Sequence, residues 1–272
     1  MSDSVQREGI WWHQRADGSW LRWDQQSGAW QESAGPAPTT KTPPYRELVT
    51  RRQWAIGLLA LVGGVSLIAL VSDLVELSLL NRIARGEAVT QAEAEASDQR
   101  QALIALSVLG ALIFAAIAFI RWFHAAYSNL PALGATGLRY KRGWAIGAWF
   151  VPILGLWRPK QIANDIWRAS DPDAPPQQGE AWRGRPVPAL LGWWWALWIL
   201  ANISGGFIGG PAEGDSIESF QAVSTFNAVG DGLTVVAAVL AILVVRTMTE
   251  RQEARARSVN ALQSERPATP AP

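Results

Sequence analysis

A chain of 272 residues with net charge +1, a pI near 8.1 and a mean hydropathy of only +0.06 has the averages of a soluble protein, but those averages hide long apolar segments diluted by polar ends. Cysteine is absent, which excludes disulfides, thiolate metal sites and cysteine nucleophiles. There is no phosphate-binding GxxxxGK(S/T), no GxSxG elbow and no HExxH, and the two histidines, His13 and His124, sit in separate regions. The expectation is a protein that is not an enzyme and has no cofactor, metal or nucleic-acid partner.

The first element in chain order is a tryptophan-rich piece, GIWWHQRADGSWLRWDQQSGAWQ. It places β-favouring residues in three short runs, with Asp17-Gly18 as a two-residue hairpin signal and Ser27-Gly28 as a second turn. A three-stranded β module is predicted over residues 1–34. The order Gly9, Trp11, Gly18, Leu21-Arg22-Trp23-Asp24, Trp30 resembles the short module called domain of unknown function 2510, which often precedes membrane spans in actinobacterial proteins. Its tryptophans, Trp11, Trp20, Trp23 and Trp30 among them, either form the only core a mini-sheet can build or line an aromatic groove for a protein partner. Residues 35–53 follow as a Pro-rich stiff linker and a basic juxtamembrane stretch. No cleavable signal peptide is expected, so the first span acts as the targeting signal.

Four apolar segments come next, at about 54–80, 102–123, 188–207 and 227–245, each near the ~20 residues that cross ~30 Å of hydrocarbon. Lys and Arg between them are unequal, and such residues are retained on the cytoplasmic side. Eighteen fall in residues 41–53, 121–187 and 246–266, against three in 81–101 and none in 209–219. An all-α, multi-pass protein of the bacterial plasma membrane, with both termini cytoplasmic, is the expectation.

Residues 143–157 (GWAIGAWFVPILGLW) are apolar but would reach only about 22 Å as a helix, and a fifth span there would invert every later loop against the charge rule. The segment is expected either to re-enter and return on the cytoplasmic side or to lie flat on the bilayer surface. Pro159 opens a predicted amphipathic helix over 159–170, with Ile162, Ile166 and Trp167 at helical spacing. Residues 247–272 are predicted to be a polar, disordered tail.

The run from Arg121 to Pro172 and the later PALLGWWWALWILANI resemble the bacterial membrane family called domain of unknown function 4328. The most specific parts are Trp122-Phe123-His124 with Tyr127, Asn129-Leu130-Pro131, Trp149-Phe150-Val151-Pro152 with Trp157-Arg158-Pro159, and residues 192–195. The resemblance spans roughly residues 54–246 and implies a membrane domain and a plasma-membrane address, with no activity attached.

Polar residues inside the spans are candidate sites. Asp73, Glu76, Asn202, Asn227 and Asp231 all fall in the outer third of the membrane under this topology. They serve either ion or proton passage or hydrogen bonding between helices, the latter aided by Ser107, Ala111, Ala115, Ala60 and Gly64. A collar of Arg121, His124, Tyr127, Arg142, Trp149, Pro152, Trp157 and Arg158 marks the cytoplasmic interface, where anionic lipid headgroups are the expected partners. Two functions are carried forward: a membrane-anchored interaction or scaffold protein, and a small transporter or channel subunit using the outer carboxylates.

Overall fold

The computed structural model describes residues 4–7, 10–15, 17, 19–33, 44–175, 178–204, 214 and 216–264, in two units, Met1–Thr42 and Pro43–Pro272. The first unit is one antiparallel sheet in sequence order, β1 (Ser4–Arg7), β2 (Ile10–Gln14), β3 (Trp20–Asp24) and β4 (Ala29–Ser33). The three predicted strands are β2 to β4, and β1 adds to the edge. Between β2 and β3, Arg15 N–H donates to Ser19 O at 2.9 Å and the Asp17 carboxylate accepts from Ser19 N–H at 2.9 Å, while Gly18 of the predicted Asp-Gly turn lies outside the described residues. The second turn ends on Gly28 at φ +59°, a backbone conformation that favours glycine.

The second unit is helical: α1 (Val49–Ala84), α2 (Gln91–Ser128), the single turn α3 (Trp144–Gly147), α4 (Arg158–Ala169), α5 (Ala189–Ser204) and α6 (Ile217–Ser264). The segments α1, α2 and α6 are each long and apolar enough to cross a membrane, whereas α5 is a shorter apolar helix of 16 residues, about 24 Å. The third predicted span, 188–207, extends beyond α5 into residues 205–207, which lie outside the described residues, as do 35–43 of the linker and 265–272 of the tail. Outward-facing Leu67, Ile68, Leu106, Phe114 and Val239 are about half exposed, the pattern expected when lipid completes the packing.

The helices α1 and α2 form a hairpin. Gly86, at φ +73°, closes α1, and Thr90 opens α2 with a reciprocal cap: its hydroxyl accepts from Glu93 N–H while the Glu93 carboxylate accepts from Thr90 N–H. Along its length α1 packs on both α2 and α6, and α6 also packs on α5. Close approach of α1 to α6 occurs at Gly63, where an added Cβ would lie 3.6 Å from Ala238 Cβ. The small residues that do this are therefore Gly63, Ser66 and Ala69. Ala60 and Gly64, predicted for this role, are exposed one step around the helix, as is Ser107 on α2, whereas Ala111 and Ala115 are buried against Val62.

The predicted disordered tail is a correction. The last helix continues to Ser264, and its residues Met248, Thr249, Gln252, Arg255 and Ala256 are buried in a cap at the end of the bundle where α1 begins. These positions recur at three- and four-residue intervals, so one stripe of the helix is buried even though half of it is polar. The cap core is built by Trp122, Phe123, Tyr127, Leu130, Ile162, Ile166 and Trp182 together with Leu48 just before α1.

Candidate functional site

Because α2 and α5 flank the α1–α6 pair without packing on each other along their length, a crevice of about 560 Å³ remains between them, within the range of ligand pockets. Its walls are apolar, from Leu59, Val62, Leu109, Leu112, Ala116, Ala201 and Ala238. Polar groups line the far end, away from the cap: Ser66, Asp73, Gln101, Asn202, Asn227 and Asp231. The fold thus brings together four of the five predicted intramembrane polar residues. Asn202 donates to Trp198 O of its own helix at 2.7 Å, and Asn227 is exposed. The fifth, Glu76, does not line the crevice but accepts from Gln101 Nε2, which also reaches Asp73 Oδ1 at 3.3 Å. The Asp73 and Asp231 carboxyls face each other across the α1–α6 seam, with Ser66 beside Asp231. Asp73 is 5 % exposed and Ser66 fully buried, yet Asp73 Oδ2 and Ser66 Oγ find no hydrogen-bond donor or acceptor of good geometry. The nearby Arg100 is committed elsewhere, to Ser72 Oγ at 2.9 Å and Ser97 Oγ at 2.8 Å.

At the cap end the crevice is closed by tryptophans. Trp149 stands edge-on to Phe119 at 5.6 Å and to Trp198 at 5.7 Å, and Trp198 stacks on Trp195 at 4.9 Å. Trp149 is delivered by residues 143–157, which do not form one helix: α3 gives way to bends and a short 3-10 turn, Leu154–Leu156. The two ends of the segment meet, with the Arg158 guanidinium 3.9 Å above the Trp144 ring, and Trp195 Nε1 donates to Leu156 O at 3.0 Å. Phe150 and Ile153 at its bend are 72 % and 68 % exposed. Of the predicted collar, Tyr127 is buried and donates to Tyr140 O at 3.0 Å, Trp149 belongs to the crevice wall, and His124 is half-buried near Ser128. Arg121, Arg142, Pro152 and Trp157 are exposed.

Sequence reasoning missed the polar network of the cap. Asn129 donates to Arg46 O at 2.8 Å and accepts from Arg46 N–H at 3.1 Å, which ties the chain before α1 to the end of α2. Trp122 Nε1 donates to Thr249 Oγ1 at 2.9 Å, and Gln252 donates to Ala126 O at 2.9 Å. The fully buried Arg255 donates to the carbonyls of Leu133, Ala174 and Pro175. In α4, Asp165 is fully buried with Arg139 at 3.7 Å, and burial pushes its carboxyl up to about 6 against the pull of Arg139, Arg168 and Arg183. Burial, with Arg168 nearby, lowers Lys160 to about 8, and its ammonium donates to Asn164 Oδ1 at 2.7 Å. The one available signal was the helical spacing of Met248, Gln252, Arg255 and Val259.

In the N-terminal sheet the register pairs His13 with Leu21 and Trp23 with Trp30, so Trp11, His13, Leu21, Trp23 and Trp30 share one face. Trp20 points to the other face and does not join that group. Leu21 is buried and Trp23 meets Trp30 edge-on at 5.3 Å, while Trp11 and Trp30 stay 44 % and 40 % exposed at the flanks.

No curated protein and no solved structure is found to be similar to this chain. Residues 85–250 match the model of a domain of unknown function, DUF4328, from just past α1 through to the cap portion of α6. The residues that carried the resemblance are in good part those that build the cap and the tryptophan wall, Trp122, Tyr127, Asn129, Trp149 and Trp194. More than half of the chain lies within that match, and the protein belongs to the DUF4328 family.

Proposed function

We propose that this is a non-enzymatic, multi-pass protein of the bacterial plasma membrane whose cytoplasmic face recruits a protein partner through the N-terminal sheet. The observation that carries the reading is the aromatic face of that sheet where Trp11 and Trp30 remain exposed on either side of Leu21 and Trp23, while Trp12 and Trp20 lie on the other face. An extended or Pro-rich segment is the partner such a face accepts. Four traversals are supported by connectivity: α5 starts beside the cap, where Trp195 meets Leu156, while α6 starts at the opposite end, where Gln221 donates to Asn81 at 2.8 Å. The cap collects Arg46, Arg139, Arg142, Arg158 and Arg251, so the positive-inside rule assigns it, and both termini, to the cytoplasm against anionic headgroups. Residues 143–157 then re-enter from that side, with Phe150 and Ile153 in hydrocarbon.

The test is affinity capture from membranes with full-length protein, with residues 1–42 deleted, and with Trp11→Ala plus Trp30→Ala. A partner retained by the full chain and lost in both variants supports recruitment, and one retained by all three removes the sheet from the account. The convergence of Asp73, Asn202, Asn227 and Asp231 on one crevice favours a second reading, a small transporter or channel subunit. A cation flux in reconstituted vesicles that vanishes in Asp231→Asn would carry it.

A further inference from the structure

We propose that the crevice between α2 and α5 binds a single-chain membrane amphiphile with a primary ammonium headgroup, the ammonium between Asp73 and Asp231 and the hydrocarbon running toward Trp149 and Trp198. Three observations meet here. The first is length: from Asp73 to Leu59 the crevice follows α1 over fourteen residue steps, about 21 Å, a length that an extended alkyl chain can fill. The second is its lining: the two carboxyls, Gln101, Asn202 and Asn227 gather at one end, Ser66 and Thr234 follow toward the middle, and from there to Trp149 and Trp198 the walls are mainly apolar, which sorts an amphiphile by orientation.

The third is a pair of carboxyls with no cation beside it. Asp73 is 95 % buried, its Oδ1 accepts from Gln101 at 3.3 Å, and the Asp231 carboxyl faces it, with Ser66 beside Asp231. Among the described residues no Lys or Arg forms an ion pair with either aspartate, since Arg100 is turned to two serines. Buried acceptors of this kind are costly unless a donor completes them. An ammonium offers three N–H donors and the opposite charge, so one group can bridge both carboxyls and still reach Ser66. A phosphate next to the ammonium would be brought against the same carboxylates, which disfavours a phospholipid. The proposal does not depend on the N-terminal sheet or on partner recruitment.

The crevice tryptophans provide the readout. The full-length protein is placed in phosphatidylcholine nanodiscs and titrated with hexadecylamine brominated at its chain terminus, and separately with the matching brominated alcohol, while tryptophan fluorescence is followed. The amine is expected to quench saturably, and Trp149→Phe plus Trp198→Phe to remove most of the saturable part. Asp73→Asn plus Asp231→Asn keeps hydrogen-bonding capacity and is expected to weaken the amine at least tenfold while changing the alcohol less than twofold. Ala116→Phe fills the crevice without touching a polar group and should abolish saturable quenching by both probes, with elution at the wild-type position showing that the bundle is intact. Equal quenching by amine and alcohol, indifference to the Asn and Phe variants, displacement of the amine by phosphatidylethanolamine in the disc, or a dimer whose second copy closes the crevice would each overturn the assignment.

Discussion

Replacing Arg255 by Met asks whether the end of α6 holds the cap together. The side chain is fully buried, and its guanidinium donates to three backbone carbonyls, those of Leu133 after α2 and of Ala174 and Pro175 after α4. Methionine keeps much of the aliphatic packing but supplies no donor. Hydrogen bonds to a charged group contribute about 1.5–3 kcal/mol each, and a buried acceptor left open costs about 1–3 kcal/mol. Allowing for relaxation and water entry at some of the three, the net loss is about 3 kcal/mol. Each 1.4 kcal/mol is about tenfold, so the opening equilibrium of this part of the cap should rise roughly 100-fold. Hydrogen exchange reads it directly at amides bonded within the affected segment, Ala174 N–H to Asp171 O, Gly179 N–H to Gly134 O and Arg185 N–H to Trp182 O. Arg255→Lys should recover only part of the protection, because one ammonium cannot reach all three carbonyls as a planar guanidinium does. Exchange within threefold of wild type in Arg255→Met would show that the helix past residue 246 is not part of the cap.

Two further outcomes follow from the same structure. In the N-terminal sheet, Leu21→Ala removes the buried side chain between Trp11, Trp23 and Trp30 and should cost about 2 kcal/mol, enough to unfold a small sheet, so amide chemical-shift dispersion from residues 10–33 should collapse. Unchanged dispersion would place the stability elsewhere. The raised carboxyl of Asp165 binds its proton in the folded cap up to about pH 6, whereas the unfolded group releases it near 3.8. The folded state therefore holds the extra proton between those values, and cap stability falls as pH rises through that window and stays lower above it. Asp165→Asn should remove this dependence, unfolding at a higher temperature than wild type at about pH 7.5 and nearly equally at about pH 4; a wild-type-like pH slope in the variant would refute it.

What could be foreseen from the residues follows the physics of each signal. Long apolar runs and the spacing of Ile162, Ile166 and Trp167 are strong local patterns, and they reappear as α1, α2, α6 and α4. The convergence of Asp73 with Asp231 depends on helix rotation and on which helices neighbour, which no local pattern encodes, so a shared level along the bundle was legible and contact was not. The tail was misjudged because its buried stripe is polar: Thr249, Gln252 and Arg255 reach Trp122, the Ala126 carbonyl and the Leu133 carbonyl, and polar core residues carry no hydropathy signal. The close approach at Gly63 in place of Gly64 is a one-residue error, and one residue rotates a helix face by about 100°. In the sheet, the alternation of side chains put Trp20 opposite Trp23, which only the register reveals.

The proposed topology is a four-traversal bundle with the cap and both termini on the cytoplasmic side. Single cysteines in this cysteine-free chain test it directly, at Gln91 and Ser216 on one side and at Ser33, Asp173 and Asn260 on the other, with Asp173 preferred to Gln178 because Gln178 is buried and bonded to Leu133 O and Ala169 O. In intact cells an impermeant thiol reagent should label the first two and leave the other three unlabelled until the membrane is opened. Labelling at Asp173 or Asn260 in intact cells would rule this topology out.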